Sequence, residues 1–346
     1  MISRADIGSL FVLGFRGFQV PDWLRDFAAR YSLGGVILFD YDVGTRRYER
    51  NVRDPAQMRA LCAEVAALPS APLVFVDQEG GKVRRLKEAR GFAPLPSAQA
   101  FNGLPIAERR ALARAAFAEL RALGISYDLA PVVDLNLNPD NPDIGAVERA
   151  YSADADEVRA IVALLNEAAR EAGLGLCLKH YPGLGGATTN SHEALTDLSD
   201  CLNPVQLELF HELAPTLSGH AILVSHGIVN QWEPGVPISM SGMALGALRR
   251  RLPDVLLISD DLQMQGLQQR FGTAEACRQG IAAGLDLLLV GHNLRDESAR
   301  TSALAEGLLA AAEADAHLAG RTEAALGRVQ ARKRAFGAGP GQTAAR

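Results

Sequence analysis

The feature that most constrains the fold of this chain is an alternation between short apolar runs and longer segments with helical periodicity. Each run has the length of a strand that is buried on both faces, and the segments between them place apolar residues three and four positions apart. The runs are Leu10–Phe15, Gly35–Phe39, Leu73–Val76, Ile125–Val133, Leu174–Leu178, Ala221–Val224, Val255–Ile258 and Leu285–Val290. The helical segments include Pro55–Leu68, Ile106–Leu123, Ala155–Ala172, Pro204–Leu217 and Thr273–Ala283.

Eight strand-and-helix units favour an α/β fold of the (β/α)₈ TIM-barrel type over an open doubly wound sheet. A Rossmann-like sheet is disfavoured because no GxGxxG pattern follows the first run. Asp54-Pro55 and Asn203-Pro204 each combine a capping residue with Pro at the first helical position, which predicts two helix starts. We expect a single barrel domain over residues 1–336 and a flexible, Gly- and Ala-rich tail over residues 337–346.

Composition argues against several classes of partner. The net charge of −5 is mildly acidic and the basic residues are scattered, so we expect no nucleic-acid partner. The apolar runs are too short to span a bilayer, and the N-terminal segment lacks the pattern of a signal peptide. The four cysteines form no CxxC pair, which is typical of reduced thiols. We therefore expect a cytoplasmic protein without a membrane partner, either a monomer or a weak homo-oligomer.

Charged or imidazole side chains follow six of the eight runs. They are Asp40, Asp77, Asp134, Lys179-His180, His226 and Asp260-Asp261. Because the carboxyl ends of barrel strands converge on one mouth, we expect a polar pocket there, suited to a hydroxyl-rich or anionic small molecule. Arg84 and Arg85 are adjacent and should point apart, so only one is expected to face this pocket. His226 is expected to be a hydrogen-bonded wall residue.

Three chemistries are compatible with such a pocket. In glycosidic cleavage, a carboxylate attacks the anomeric carbon and a second group protonates the leaving oxygen. Schiff-base chemistry at Lys179 requires a lysine with a depressed pKa. Metal-assisted hydrolysis ranks last because no HxH or HExxH spacing occurs.

Several stretches together resemble family 3 glycoside hydrolases, in particular the single-domain β-N-acetylglucosaminidases of bacterial cell-wall recycling. They are LGGVILF, DQEGGKVRRL, GFAPLPSA, LAPVVDLN, ERAYSADADEV, KHYPG, NSH, VSHGIV, PISMS and LISDDLQM. The resemblance implies a retaining exo-glycosidase that hydrolyses terminal β-linked N-acetylglucosamine from a small carbohydrate substrate, such as a muropeptide. It implies neither a metal nor an organic cofactor.

The resemblance also implies roles for individual residues. Asp260, the first Asp of SDD, matches the nucleophile that forms the covalent glycosyl-enzyme, and His192 matches the acid/base histidine. Five residues match positions that bind the terminal sugar: Asp77, Arg85, Arg149, Lys179 and His180.

The loop that carries His192 departs from the family pattern at three positions. Leu184 replaces a His, Gly186 replaces an acid, and Asn190 replaces the Asp that orients the catalytic histidine. Asn190 can accept a hydrogen bond from the ring but supplies no negative charge, so we expect His192 to be a weaker acid catalyst. This predicts a slower enzyme, or one whose leaving group needs less protonation. The alternatives are a sugar-binding barrel that has lost hydrolysis, a β-glycosidase for another sugar, and a lysine-dependent aldolase.

Overall fold

The computed structural model describes residues 2–189 and 194–337 of the chain. Within these ranges the strands are β1 (Phe11–Leu13), β2 (Gly35–Leu38), β3 (Leu73–Val76), β4 (Gln78–Gly80), β5 (Val83–Arg84), β6 (Tyr127–Asp128), β7 (Gly175–Tyr181), β8 (Ala221–Val224), β9 (Leu256–Ser259) and β10 (Leu288–Val290). The helices are α1 (Arg4–Gly8), α2 (Asp22–Tyr31), α3 (Pro55–Ala66), α4 (Ala98–Asn102), α5 (Ile106–Leu123), α6 (Ala155–Ala172), α7 (Pro204–Leu213), α8 (Gly242–Arg251), α9 (Gln265–Arg270), α10 (Thr273–Ala283), α11 (Thr301–Ala314) and α12 (Ala316–Phe336).

Eight parallel strands form the barrel, in the order β10-β1-β2-β3-β6-β7-β8-β9. A parallel bridge between Ile258 and Leu287 joins the two ends of this order, and the Ser259 amide donates to the Leu287 carbonyl at 3.0 Å. Each of the eight apolar runs overlaps one of these strands, so the predicted (β/α)₈ architecture is confirmed. A short antiparallel hairpin, β4–β5, lies beside the mouth directly after β3.

The helix starts follow the local chemistry of the sequence. Asp54 accepts a hydrogen bond from the Gln57 amide and precedes Pro55, and Asn203 accepts from the first free amides of α7. These caps satisfy backbone donors that a helix leaves unpaired at its start. At the other end, Gly124 and Gly173 adopt the left-handed conformation that ends α5 and α6.

Two apolar layers surround the sheet. The larger layer lies between strands and helices, and the smaller one fills the barrel interior. Phe75 and Tyr127 stack inside the barrel with ring centroids 5.3 Å apart. At the amino end of the strands, Val329 and Phe336 of α12 pack against this interior, and the Phe336 ring lies 5.1 Å from that of Tyr127. The last helix therefore closes that end of the barrel.

Lys333, also on α12, is buried and donates from Nζ to the carbonyl oxygens of Leu33 and Ser70, at 2.5 and 3.0 Å. Burial lowers the pKa of Lys333 to about 8, because no carboxylate offsets the cost of desolvating the ammonium group there. The ammonium group thus ties α12 to two loops at the amino end of the barrel.

Residues 338–346 lie outside the described residues, so the flexible tail stays a prediction. The four cysteines carry free thiols, as the sequence suggested. Among the described helices, none combines the length and apolar character needed to cross a membrane.

Candidate active site

A cavity of about 310 Å³ opens at the carboxyl ends of the barrel strands. Its floor is the upper layer of the barrel interior, formed by Ile37, Phe39, Leu129, Leu223 and Leu289. Its charged walls are formed by Asp77, Glu79, Arg85, Arg149, Lys179, His180, Asp260 and Asp261. The cavity therefore has an apolar base and charged sides, and six of the eight predicted site residues line it.

Lys179 bridges two carboxylates in one wall of the cavity. Its Nζ lies 2.8 Å from Asp77 Oδ1 and 2.6 Å from Glu79 Oε1. Arg85 contacts the other oxygen of Asp77 at 2.9 Å, and Arg149 binds Glu79 through Nε and Nη2 at 2.7 and 2.8 Å. This network, with two carboxylates and three cations, holds every member in a fixed orientation before any ligand arrives.

The pKa values in this network reflect competition between burial and charge. Burial alone raises the pKa of Glu79, but Arg149 and Lys179 outweigh it and hold the pKa at about 2. Burial also opposes the charged form of Asp77, yet Lys179 and Arg85 bring its pKa well below the usual range. Burial lowers the pKa of Lys179, but the charges of Asp77 and Glu79 raise it by a larger amount. The pKa of Lys179 therefore lies above its ordinary value. A lysine held charged in this way lacks the free amine that a Schiff-base aldolase needs.

His180 connects this network to Asp134. Its Nδ1 lies 2.7 Å from Asp134 Oδ2, and its Nε2 lies 3.0 Å from Arg149 Nη2. Because a guanidinium group only donates, Nε2 must accept, and Nδ1 then carries the hydrogen that is donated to Asp134. Lys179 and His180 are consecutive on β7 and would ordinarily point to opposite faces, but a register shift between Leu178 and Tyr181 lets both line the cavity.

Asp260 and Asp261 lie directly after β9, on another side of the cavity. The Asp260 amide donates to the Val224 carbonyl at 2.9 Å, which fixes its backbone to β8. Asp261 accepts amide hydrogen bonds from Gln263 and Gly291, at 3.0 and 3.3 Å. Burial raises the pKa of Asp261 to about 7, and the neighbouring Asp260 adds to this shift.

Asp128 is a further buried acid behind the network. One oxygen accepts from the Gln78 amide at 2.8 Å, whereas Oδ2 has no hydrogen-bond partner within the described ranges. Burial raises the pKa of Asp128 to about 7. It borders a small void of about 20 Å³ together with Glu79 and Tyr151, which is space for roughly one water molecule.

The loop after β7 is anchored as far as Ala187, whose carbonyl accepts from Asn138 Nδ2 at 2.8 Å. The Leu184 amide donates to Asp134 Oδ1 at 2.7 Å, and Asn141 Nδ2 donates to the Leu184 carbonyl at 2.7 Å. Gly185 passes so close to the backbone of Leu135 that a Cβ at Gly185 would lie 1.9 Å from the Leu135 carbonyl oxygen. The predicted catalytic residues Asn190 and His192 lie outside the described residues, so their roles stay predictions.

The predictions for Arg84, Arg85 and His226 agree with the structure. Arg84 turns away from the cavity to Glu88 and the Leu95 carbonyl, while Arg85 faces it, as expected from their adjacency. His226 is buried between Ser239 Oγ and the Asp261 carbonyl oxygen, which agrees with its predicted role as a wall residue.

Glu79 was missed by the sequence interpretation, although it lies at the centre of the ion network. A signal for it existed: Asp77 and Glu79 are two positions apart after a strand, and this spacing places side chains on the same side of an extended chain.

The cavity is large enough for a sugar, and carboxylates line it beside fixed hydrogen-bond donors. This arrangement is typical of barrel enzymes that act on polar small molecules. The chain belongs to glycosyl hydrolase family 3, whose N-terminal domain matches residues 5–330. It is therefore a glycoside hydrolase, as the sequence resemblance predicted.

Similar proteins agree with this assignment. The β-hexosaminidase of Xanthomonas campestris pv. campestris is 30% identical over 297 residues, which cover 82% of this chain and 84% of the relative. A family 3 β-N-acetylglucosaminidase from Paenibacillus superposes with a TM-score of 0.85 at 29% identity; it matches all of this chain, which spans 65% of that structure's length. NagZ from Neisseria gonorrhoeae, in complex with N-trifluoroacetyl-D-glucosamine, has a TM-score of 0.71 at 26% identity, with 94% of each chain covered.

Proposed function

We propose that this protein is a retaining, exo-acting β-N-acetylhexosaminidase that hydrolyses terminal β-linked N-acetylglucosamine through a covalent glycosyl-enzyme on Asp260. The observation that carries the proposal is the position of Asp260 at the end of β9, in the same cavity as the network around Lys179. The names of the similar proteins, β-hexosaminidase and β-N-acetylglucosaminidase, support the choice of sugar.

In this proposal the charged network binds the hydroxyl groups of the terminal sugar. Asp77, Arg85, Arg149, Lys179 and His180 are already oriented by one another or by Asp134, so binding requires little rearrangement. Below about pH 7 Asp261 is neutral, because its pKa is raised to about 7 by burial. Asp260 then has no second negative charge beside it. In other paired carboxylates, too, the environment keeps one group neutral while the other is ionised.

The reaction then proceeds in two displacements. Asp260 attacks the anomeric carbon while His192 gives a proton to the leaving oxygen, which forms the glycosyl-enzyme and releases the rest of the substrate. In the second step His192 takes a proton from water as that water attacks the anomeric carbon, and the carboxylate of Asp260 is released. The proposal gives Asn190 the role of the residue that orients the imidazole of His192, as the resemblance implies.

The Asn190 assignment makes a prediction about the leaving group. Asn190→Asp should raise turnover of a disaccharide by roughly tenfold or more, because a carboxylate stabilises the imidazolium form of His192. The same change should barely affect an activated aryl glycoside, whose leaving group needs little protonation. Steady-state kinetics on both substrates measures this, with His192→Ala as the reference; equal sensitivity of the two substrates to His192→Ala would refute the acid role.

The experiment that tests the proposed function is covalent trapping with 5-fluoro glycosyl fluorides of the gluco and N-acetylgluco series, followed by peptide mapping. We expect the N-acetylgluco reagent to label the peptide that carries Asp260, and Asp260→Asn to abolish labelling. Asp261→Asn is the matched control, since it changes the neighbouring carboxyl group and should retain labelling. Labelling of another residue would overturn the nucleophile assignment.

A second candidate is a barrel that binds N-acetylglucosamine without hydrolysing it. The observation that favours it is the replacement of three loop residues, including the one at Asn190. Calorimetric binding of N-acetylglucosamine with neither labelling nor turnover would select this function.

We further propose that the natural substrates are muropeptides, and that the protein acts in the cytoplasm as a monomer or weak homo-oligomer without a nucleic-acid partner. The resemblance to cell-wall recycling enzymes and the net charge of −5 support this. Release of N-acetylglucosamine from purified muropeptides, compared with chitin oligosaccharides, tests the substrate class.

A further inference from the structure

One side of the cavity mouth is apolar and exposed, in contrast to the charged walls below it. Val43, Tyr48 and Leu294 are 41, 50 and 38% exposed. Val43 and Leu294 line the mouth of the cavity together with Tyr41, whose ring centroid lies 4.8 Å from that of Tyr48. We call this surface, formed by Tyr41, Val43, Tyr48 and Leu294, the apolar ledge.

The ledge is built from two loops that are tied together. Asn293, beside Leu294, accepts from the Val43 amide through Oδ1 at 3.1 Å and donates through Nδ2 to the Tyr41 carbonyl at 2.9 Å. The buried Arg50 binds Asp42 at 2.9 Å and donates to the His292 carbonyl at 2.7 Å. An exposed apolar surface held in place by buried polar bonds is preorganised for contact with a ligand.

The charge state of Asp42 keeps this tie intact. Burial opposes its charged form, but the Thr45 amide, Arg16 and Arg50 outweigh burial and lower the pKa of Asp42 to about 2. The loop after β2 is therefore held by ionic bonds across the neutral pH range.

The order of strands around the barrel relates the ledge to the proposed chemistry. The charged network comes from β3, β7 and the segments that follow β3 and β6, whereas Asp260 follows β9. The ledge follows β2 and β10, on the remaining side of the mouth. In the proposed displacement the glycosidic oxygen lies on the face of the anomeric carbon opposite Asp260, and the leaving group emerges through the open mouth of the cavity, one side of which is the ledge.

We propose that the apolar ledge binds the leaving group of the substrate, and that its ligand is the pyranose ring attached to the terminal sugar. A pyranose presents a face of C–H groups that packs on aromatic and aliphatic side chains, and its edge hydroxyls stay in water at an open mouth. The ledge thus selects a sugar as aglycone over a small polar alcohol. This inference rests on the proposed function, because it assigns the second subsite of the same reaction.

The test compares a substrate that reaches the ledge with one that does not. N,N′-diacetylchitobiose carries a second pyranose, whereas N-acetyl-β-glucosaminyl fluoride has a leaving group of one atom. For the double variant Val43→Ala/Leu294→Ala we expect kcat/KM for the disaccharide to fall roughly tenfold, because apolar contacts with the departing ring are lost. For the fluoride, kcat/KM should change by less than about twofold, which also reports that the variant is folded.

The matched control is Ile106→Ala/Met243→Ala, which truncates two exposed apolar side chains that do not line the cavity. It should leave both kinetic constants unchanged. Equal losses on the two substrates in the ledge variant, or no loss on either, would overturn the assignment of the ledge while the proposed function stands. If the wild-type protein hydrolyses neither substrate, the proposed function fails, and the ledge assignment fails with it.

Discussion

Replacement of Lys179 by Met should destabilise the protein in a way that depends on pH. The side chains of Lys179 and Glu79 are 3% exposed, and that of Asp77 is 13% exposed. Methionine keeps the apolar length of the side chain but leaves the two carboxylates, which lie on either side of Nζ at 2.8 and 2.6 Å, without their shared cation. Arg85 and Arg149 remain and partly compensate.

The magnitude follows from the burial of the pair. Removal of one partner from a buried ion pair costs about 3–5 kcal/mol, because the remaining charge is desolvated without compensation. For a chain of 346 residues the entropy of unfolding is about 0.7 kcal/mol/K, at roughly 2.1 cal/mol/K per residue. The expected decrease in melting temperature at pH 7 is therefore about 4–7 °C.

The pH dependence has a defined sign. In the wild type the pKa of Glu79 is held at about 2 and that of Asp77 is also lowered, so their contribution is present at neutral pH and is lost only as acid protonates them. Without Lys179 the effect of burial raises both pKa values, and protonation relieves the unpaired charges. The deficit of the variant should thus be largest near pH 8 and smaller near pH 5.

Scanning calorimetry at pH 5, 7 and 8 measures this deficit. Lys82→Met is the control, since Lys82 is an exposed lysine close in sequence to the network and its loss should change the melting temperature by less than about 1 °C. A decrease below 1 °C for Lys179→Met, or a deficit that is the same at pH 5 and pH 8, would refute the argument that Lys179 neutralises two buried carboxylates.

Three further changes probe other parts of the molecule. Asp128→Asn should stabilise the fold by roughly 2–3 kcal/mol more at pH 8 than at pH 5, because burial raises the pKa of Asp128 from 3.8 to about 7 and the wild type loses stability as pH rises between these two values. Urea unfolding that gave the same gain at both pH values would contradict this. Burial lowers the pKa of Lys333 to about 8, so wild-type stability should rise between about pH 8 and 10, and Lys333→Met should abolish that rise in the same assay. Gly185→Ala places a Cβ 1.9 Å from the Leu135 carbonyl oxygen and should lower kcat/KM roughly tenfold or more by displacing the loop, an expectation that unaltered kinetics would exclude.

The architecture was readable from the sequence because it depends on burial, which leaves a local pattern. A strand covered on both faces needs a short apolar run, and every such run coincides with a strand or overlaps one. Lengths were less predictable. The run Ile125–Val133 yields only the pair Tyr127–Asp128 as a strand, with a single bridge at Val132, because Pro131 lacks the amide hydrogen that a continuous ladder requires.

Most residues that line the site could also be predicted from the sequence, whereas the ion pairs and hydrogen bonds between them could not. Asp77 and Lys179 were both expected at the mouth, since each follows or ends a barrel strand. Their bond depends on the distance between β3 and β7 across the intervening β6, and on a register shift that no local pattern announces. Asp40 illustrates the same point: it ends its strand as expected, but it is buried in an ion pair with Lys87.

The closure of the barrel by α12 has a kinetic consequence. Because Val329, Phe336 and the layer above them fill the axis below the cavity floor, no molecule can pass through the barrel. The departing group, the incoming water and the released monosaccharide must then use the open end in turn. In the proposed reaction, an alcohol that occupies the vacated ledge faster than water would intercept the intermediate and yield a transfer product.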